Sequence, residues 1–242
     1  MNQRYLQFDL IPALNAPGRL GAADPVVTLL TTADFNQARS IALHCREQNE
    51  RRKQIQRKTL RQAGIRAEAV VNSHPDTAVI VLADRDWHHG VAGPTASQIA
   101  ETYQRSTILL APHGDYEWRG SGRNANGDHL GNWLSDAKAL GVVQRGGGHA
   151  AAVGLVVTPA QLVALQTAGL CLPMPLADRE VLQEDIGQID QLRPEEWVTA
   201  LELLGPFGRG NPYPVIRAPG ARLQSEPVTL QAKDTGQGND GR

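Results

Sequence analysis

Thirty consecutive residues, Asp34 to Ala63, contain neither proline nor glycine, in a chain of 242 residues that holds 15 prolines and 24 glycines. A run of that length without a breaker predicts one long helix, with Asp34 as its N-cap and Gly64 as its stop. The same stretch is basic. From Arg46 to Arg66, eight cations (Arg46, Arg51, Arg52, Lys53, Arg57, Lys58, Arg61, Arg66) stand against Glu47 and Glu50, a local +6 that the overall charge of −1 conceals. At about 100° per residue, Arg46, Lys53, Arg57 and Arg61 fall within roughly 80° of one another and form one stripe. Such a stripe is either a solvated helix face or an electrostatic track for a polyanion, and both readings stay open here. Acid gathers elsewhere: between Asp178 and Glu202 eight carboxylates face Arg179 and Arg193.

The chain is long enough, at 41% hydrophobic residues, for one substantial core or two modest ones. No apolar run approaches membrane length, and Met1 to Leu10 carries Arg4 and Asp9 with no sustained apolar core, so neither a signal peptide nor an anchor is expected. Cys45 and Cys171 lie far apart in no ligand spacing, which fits a reducing cytoplasm and argues against a zinc site or a disulfide framework.

Beyond the long helix the text alternates between strand and helix, which predicts an α/β fold. Ala78 to Ala83 is a continuous apolar run, as a strand buried on both faces would be. A loop from Asp84 to Gly93 follows, then a helix with Pro94 in its first turn, then a strand at Ser106 to Ala111 parallel to the first. Tyr116 to Gly120 reads as another strand leading into a Ser121, Gly122, Arg123 loop, and Asp128 as the cap of a helix to Leu140 closed by Gly141. Gly154 to Thr158 reads as a strand, Pro159 to Ala168 as a helix, Glu180 to Gln188 as an extended segment, and Pro194 to Leu204 as an amphipathic helix. From Gly205 the chain turns rich in glycine and proline, and Gln231 to Arg242 has the composition of a disordered tail.

The octet Arg145 to Ala152, RGGGHAAA, reads as an anion-binding loop. Consecutive glycines let backbone N–H groups approach a phosphate without Cβ hindrance, His149 adds a donor, and Arg145 adds a permanent charge. The competing reading is a tight turn before a strand. Two segments are expected to converge with it: Trp87, His88, His89 and Gly90 at the carboxyl end of a buried strand, and Ser121 to Arg123. Arg123 can fork two phosphate oxygens. Trp87 is a candidate for stacking on a base, whereas Trp118 is expected in the core. A metal reading of Asp84, Asp86, His88 and His89 is set aside, because one short loop rarely aims four such side chains at one ion. His113 and His129 read as loop and helix-start residues. No nucleophile elbow, paired Cys and His, or Walker loop occurs, and Glu117 has no partner for acid–base work. The residues thus describe a binding site more clearly than a catalytic one.

In order, these motifs make the chain resemble the C-terminal half of the RecJ single-stranded-DNA exonucleases of the DHH phosphoesterase superfamily. The matching stretches are NAPGRLG (Asn15 to Gly21), HCREQNERRKQI (His44 to Ile55), VLADRDWHHGVAG (Val81 to Gly93), RGSGR (Arg119 to Arg123), GGGHAAAVGL (Gly146 to Leu155) and LGPFGRGNPYPV (Leu204 to Val215). The resemblance implies a DHHA1-type domain with a mixed sheet flanked by helices at residues 70–203. Ahead of it come a remnant of a preceding domain at 1–33 and a long basic connector helix at 34–66. An incomplete OB-fold start at 204–230 and the tail at 231–242 would follow, since a five-stranded barrel cannot be completed after Val215. It also implies that Arg19, His88, Gly90, Ser121, Gly122, Arg123, Gly147, Gly148 and His149 contact DNA or its phosphates.

Departures from the family pattern bear on function. The metal-binding half with its Asp-His-His signature is absent, and His88 and His89 belong to a different motif. Two-metal hydrolysis needs that ligand shell. Manganese or magnesium is therefore expected only with a DHH catalytic domain, and no cofactor or metal site is expected on this chain itself. Pro94, Gln98 and Ala13 stand where relatives usually carry an aliphatic residue, an arginine and an arginine. The expectation is the substrate-binding portion of a 5′ to 3′ single-stranded-DNA exonuclease of DNA repair and recombination, inactive alone, with single-stranded DNA and a separately encoded DHH domain as partners and no membrane. The alternatives are a non-catalytic nucleic-acid or phosphate-binding module and a decayed gene fragment.

Overall fold

The computed structural model describes residues 5–125 and 127–174 and the positions 193, 199, 201, 203–205 and 207. The chain divides into two compact units, Met1–Arg179 and Glu180–Arg242, and every element named below lies in the first. In the expected helix from Pro194 to Leu204, the described Thr199, Leu201, Leu203 and Leu204 are helical. The expected extended segment 180–188, nearly all of the OB-fold start at 204–230, and the tail at 231–242 lie outside the described residues.

A helical turn, Leu6–Leu10, runs into α1 (Ile11–Leu20), followed by α2 (Asp24–Thr31) and α3 (Phe35–Ser73). Asp34 caps α3 as expected, its carboxylate accepting from the N–H of Asn36 at 2.8 Å and of Gln37 at 3.3 Å. Gly64 does not stop the helix, which continues for a further nine residues to Ser73, beyond the expected boundary at 66. Glycine in a helix interior costs about 1 kcal/mol relative to alanine. Packing offsets this: Ala63 and Ala67 are fully buried, and Val70 and Val71 lie against the same cluster. The actual stop is Pro75, which pushes His74 into an extended conformation (φ −135°, ψ 76°).

The sheet contains β1 (Val79–Ala83), β2 (Ser106–His113), β3 (Glu117–Arg123), β4 (Arg145–Gly148) and β5 (Ala152–Val157), in the order β1-β2-β3-β5-β4. The β1 and β2 strands are parallel, joined through α4 (His89–Tyr103), and every other pair is antiparallel. The sheet is therefore mixed, as expected. One face packs against α5 (Leu130–Ala139) and α6 (Pro159–Cys171) around Ile108, Leu110, Trp133, Leu134 and Leu165. Each such fully buried aliphatic side chain contributes about 1.5–3 kcal/mol. The other face of β1 and β2, with Ile80, Leu82 and Leu109, packs under α4 and the C-terminal half of α3. The β1 strand is buried on both faces, which is why its text is continuously apolar.

Four local expectations are corrected. Pro94 lies inside α4, which starts at His89, because His88 caps the helix: its Nδ1 accepts from the N–H of Gly90 at 3.0 Å. The β3 strand runs on to Arg123, so Ser121, Gly122 and Arg123 are strand residues. Trp118, Gly120 and Gly122 point into the core with the period of two that a strand imposes. His129, not Asp128, caps α5, while the Asp128 carboxylate accepts from the Ser106 hydroxyl at 2.6 Å. Trp87 is unavailable to a base. It is buried, its indole N–H donates to Gln62 Oε1 at 3.0 Å, and the Arg66 guanidinium lies over its ring at 5.4 Å. Trp118 is in the core, as expected. Cys45 and Cys171 are free thiols, and no described helix is long and apolar enough to cross a membrane.

Candidate nucleic-acid interface

The glycine octet is not a loop of free amides. Arg145–Gly148 forms the edge strand β4, with Gly146, Gly147 and Gly148 opposite Leu155, Gly154 and Val153 of β5. Only His149, Ala150 and Ala151 turn the chain, closed by the His149 N–H donating to Ala152 O at 2.9 Å. Gly148 has φ +154°, and a Cβ there would lie 2.2 Å from Ala152 O, so this turn demands glycine. The Ala150 carbonyl accepts from the first N–H of α5, Leu130, at 3.1 Å.

Register places the remaining glycines. Ser121 of β3 pairs with Gly154, and Gly154 pairs with Gly147, so these three residues form one row across the outer face. No atom lies within 4 Å of where a Cβ of Gly147 or Gly154 would stand. The result is an open trough floored by backbone, beside a cavity of about 270 Å³ that His89, Arg119, Ser121 and Val156 also line. The next row carries Arg119, Val156 and Arg145, with Arg145 paired to Glu117. At the other end of β3 stands Arg123.

Arg123 is half-buried against α4, where a Cβ on Gly93 would come within 2.8 Å of its Nη2. Arg19, from the last turn of α1, reaches the same place. Pro94 has no N–H to give the Gly90 carbonyl, and Arg19 Nη1 lies 3.5 Å from that oxygen. Burial, and then the Arg19 charge, lower the pKa of both Arg123 and Arg52, and Glu50 offsets part of the effect at Arg52. Arg52 is held by Asn49 and Gln56, neither of them charged. Among the described residues the ion-paired carboxylates are Glu50, Asp84 and Glu117, taken by Lys53, Arg66 and Arg145. None of Arg19, Arg52 and Arg123 is itself ion-paired among the described residues, and Glu50, which acts on Arg52, is taken by Lys53; this is an arrangement suited to a polyanion.

Of the sequence-predicted residues, Arg19 reaches the Gly90 carbonyl and acts electrostatically on Arg123, and Ser121 and Gly147 share the trough floor. His88 acts as the α4 cap, and Gly148 and His149 form the turn at the Arg123 end, where Arg123 pairs with Ala152. Gly122 is corrected: it faces the core between Val153, Leu130 and Ile108 and cannot meet a ligand. On α3, Arg46, Arg57 and Arg61 are exposed, while Lys53 is paired to Glu50. The sequence reading missed Arg51, Arg52, Arg119, His113 and Gly154. The alternation of Arg119, Ser121 and Arg123 held a signal for the third of these. The rest depend on non-local pairing. Asp84, weighed for metal, is bound by Arg66 and by the N–H of Asp86, and no three His, Cys, Asp or Glu side chains gather to hold an ion among the described residues.

Residues 76–168 match the DHHA1 domain, inside the expected 70–203, and the sheet with its trough lies within that match. The wider chain is similar to RecJ proteins over most of its own length. It is 32% identical over 219 residues to the single-stranded-DNA-specific exonuclease RecJ of Escherichia coli (strain K12), covering 87% of this chain and 38% of that protein. Against RecJ of Thermus thermophilus the identity is 31% over 218 residues, covering 88% of this chain and 30% of that protein. The crystal structure of Thermus thermophilus RecJ in complex with Mg2+ superposes with a TM-score of 0.67 at 27% identity, over 88% of this chain and 32% of that one. A structure of exonuclease RecJ bound to manganese gives 0.59 at 28% identity, over 69% and 40%. The chain therefore spans roughly a third of the length of the relatives it matches.

Proposed function

We propose that the trough and the arginine junction hold one strand of DNA by its phosphates, as the substrate-gripping part of a RecJ-type 5′ to 3′ single-stranded-DNA exonuclease. The observation that carries this reading is that the charge of Arg19 acts on both Arg52 and Arg123 and that none of the three is itself ion-paired among the described residues. A glycine floor with nothing within 4 Å of the Cβ positions of Gly147 and Gly154 admits a sugar–phosphate backbone, and a single strand can follow a channel one residue row wide. The exposed arginines of α3 add sequence-independent attraction. Hydrolysis is assigned in this reading to a DHH partner domain, because two-metal hydrolysis needs a shell of carboxylates and imidazoles.

Binding to an oligothymidylate is expected to fall steeply with salt, log K against log[salt] having a slope of about −0.7 per neutralised phosphate. Arg123→Ala should flatten that slope by about 0.7. No salt dependence, or tighter binding to duplex of equal length, would contradict the reading. With manganese present, 5′-labelled single-stranded DNA is expected to stay intact. Release of mononucleotides above a mock preparation would show that this chain carries its own hydrolytic centre.

A further inference from the structure

Three imidazoles meet at the wall of the trough. The His88 and His89 rings are stacked, with centroids 4.7 Å apart and planes 19° apart, and His113 from the end of β2 meets His89 edge-on at 5.2 Å. His89 opens into the cavity of about 270 Å³ that it shares with Arg119 and Ser121. The phosphate grip described above does not account for this cluster, which lies on the far side of Ser121 from Arg123, at the Arg119 end of β3.

The charges around it share one sign. His88 has Arg51 of α3 nearby, and His89 has His88, His113 and Arg119. Glu117 lies opposite His113 across the strands, but its carboxylate is held by Arg145. On the α1 side the near charge is Arg19, bonded to the Gly90 carbonyl. Burial first, and then these cations, hold both His88 and His89 below the ordinary imidazole range, so these two rings are neutral near pH 7. The three rings are not equivalent proton acceptors. His88 Nδ1 is already the acceptor that caps α4, and protonating it would cost that cap. The proton is therefore taken at His89, the ring that lines the adjoining cavity, and an anion there is what would favour it.

We propose that His89, with His113 edge-on against it and Arg119 beside it, forms a second phosphodiester subsite of the trough, one that closes on its phosphate when His89 takes up a proton. This rests on the reading of the trough as a holder of a nucleic-acid strand. The Arg19 and Arg123 grip is permanent, because guanidinium does not titrate, whereas this subsite adds its charge only as pH falls. The sign follows from linkage: phosphate raises the imidazole pKa in the complex, so affinity rises as pH drops through that value and levels off below the pKa of the free protein.

The test is binding of the whole chain to an oligothymidylate at about pH 8 and about pH 5.5, a range in which phosphodiesters do not titrate, together with an NMR titration of the imidazole C–H signals. Wild type should tighten about threefold to tenfold at the lower pH, His89→Gln should lose that gain, and His74→Gln should keep it. Adding the oligonucleotide should raise the His89 titration midpoint. An unchanged midpoint, or the same pH profile in His89→Gln and wild type, overturns the subsite and leaves the arginine grip standing. Failure of wild type to bind at either pH overturns both.

Discussion

Arg123→Ala is expected to weaken binding of a single-stranded oligonucleotide about tenfold to a hundredfold, the loss of one charge-assisted contact worth about 1.5–3 kcal/mol. The side chain is half-buried against Gly93 of α4, so it cannot be replaced by a neighbour swinging in. Arg123→Lys keeps the charge but not the fork, and should recover only part of the loss. Arg39→Ala, which removes an exposed guanidinium in the first turns of α3, should change binding little. Because Arg19 and Arg123 influence one another electrostatically, the double substitution should cost less than the two single effects combined. Titration by fluorescence anisotropy reads all of these. Equal affinity for Arg123→Ala and Arg39→Ala would remove Arg123 from the site.

Gly90→Ala is expected to be the most damaging small substitution in the described part of the chain. A Cβ at Gly90 would fall 1.9 Å from the Arg19 carbonyl oxygen, a backbone atom, so α1 and the start of α4 must separate. Overpacking of this kind costs about 1–3 kcal/mol, or a fall in Tm of several degrees in a protein of this size. It should also displace Arg19 from Arg123, so binding should fall with stability. Gly64→Ala provides the opposite outcome by the same chemical change. Gly64 is helical with nothing within 4 Å of its Cβ position, so alanine should stabilise by about 0.4–1 kcal/mol. Thermal melts of the two variants separate the local packing account from any general intolerance of added methyl groups.

The sequence carried most of the fold because its main signals were local. A breaker-free run with an Asp cap is a helix wherever it is placed, and the AVIVLA run has to be buried on both faces. What it did not carry was pairing between distant segments. Arg145 to Gly148 reads as a loop because glycine is a poor strand former, yet pairing with Ala152–Val157 imposes a strand on it. Likewise Ser121 to Arg123 reads as a turn until β5 is known to lie alongside. These corrections leave Ser121, Arg123 and Gly147 on the outer side, since a strand faces alternate residues outward. Gly122, one position out of phase, is not among them. The His88, His89 and His113 cluster was invisible for the same reason: its third member comes from the end of a different strand.

The central claim is that the trough, rather than the exposed face of α3, holds the strand. Backbone amide chemical-shift mapping during titration with an oligothymidylate tests this most directly. The largest changes are expected at Gly90, Ser121, Arg123, Gly147 and His149, with weaker effects along α3. Changes confined to the α3 face around Arg46, Arg57 and Arg61, with the trough amides unmoved, would contradict it.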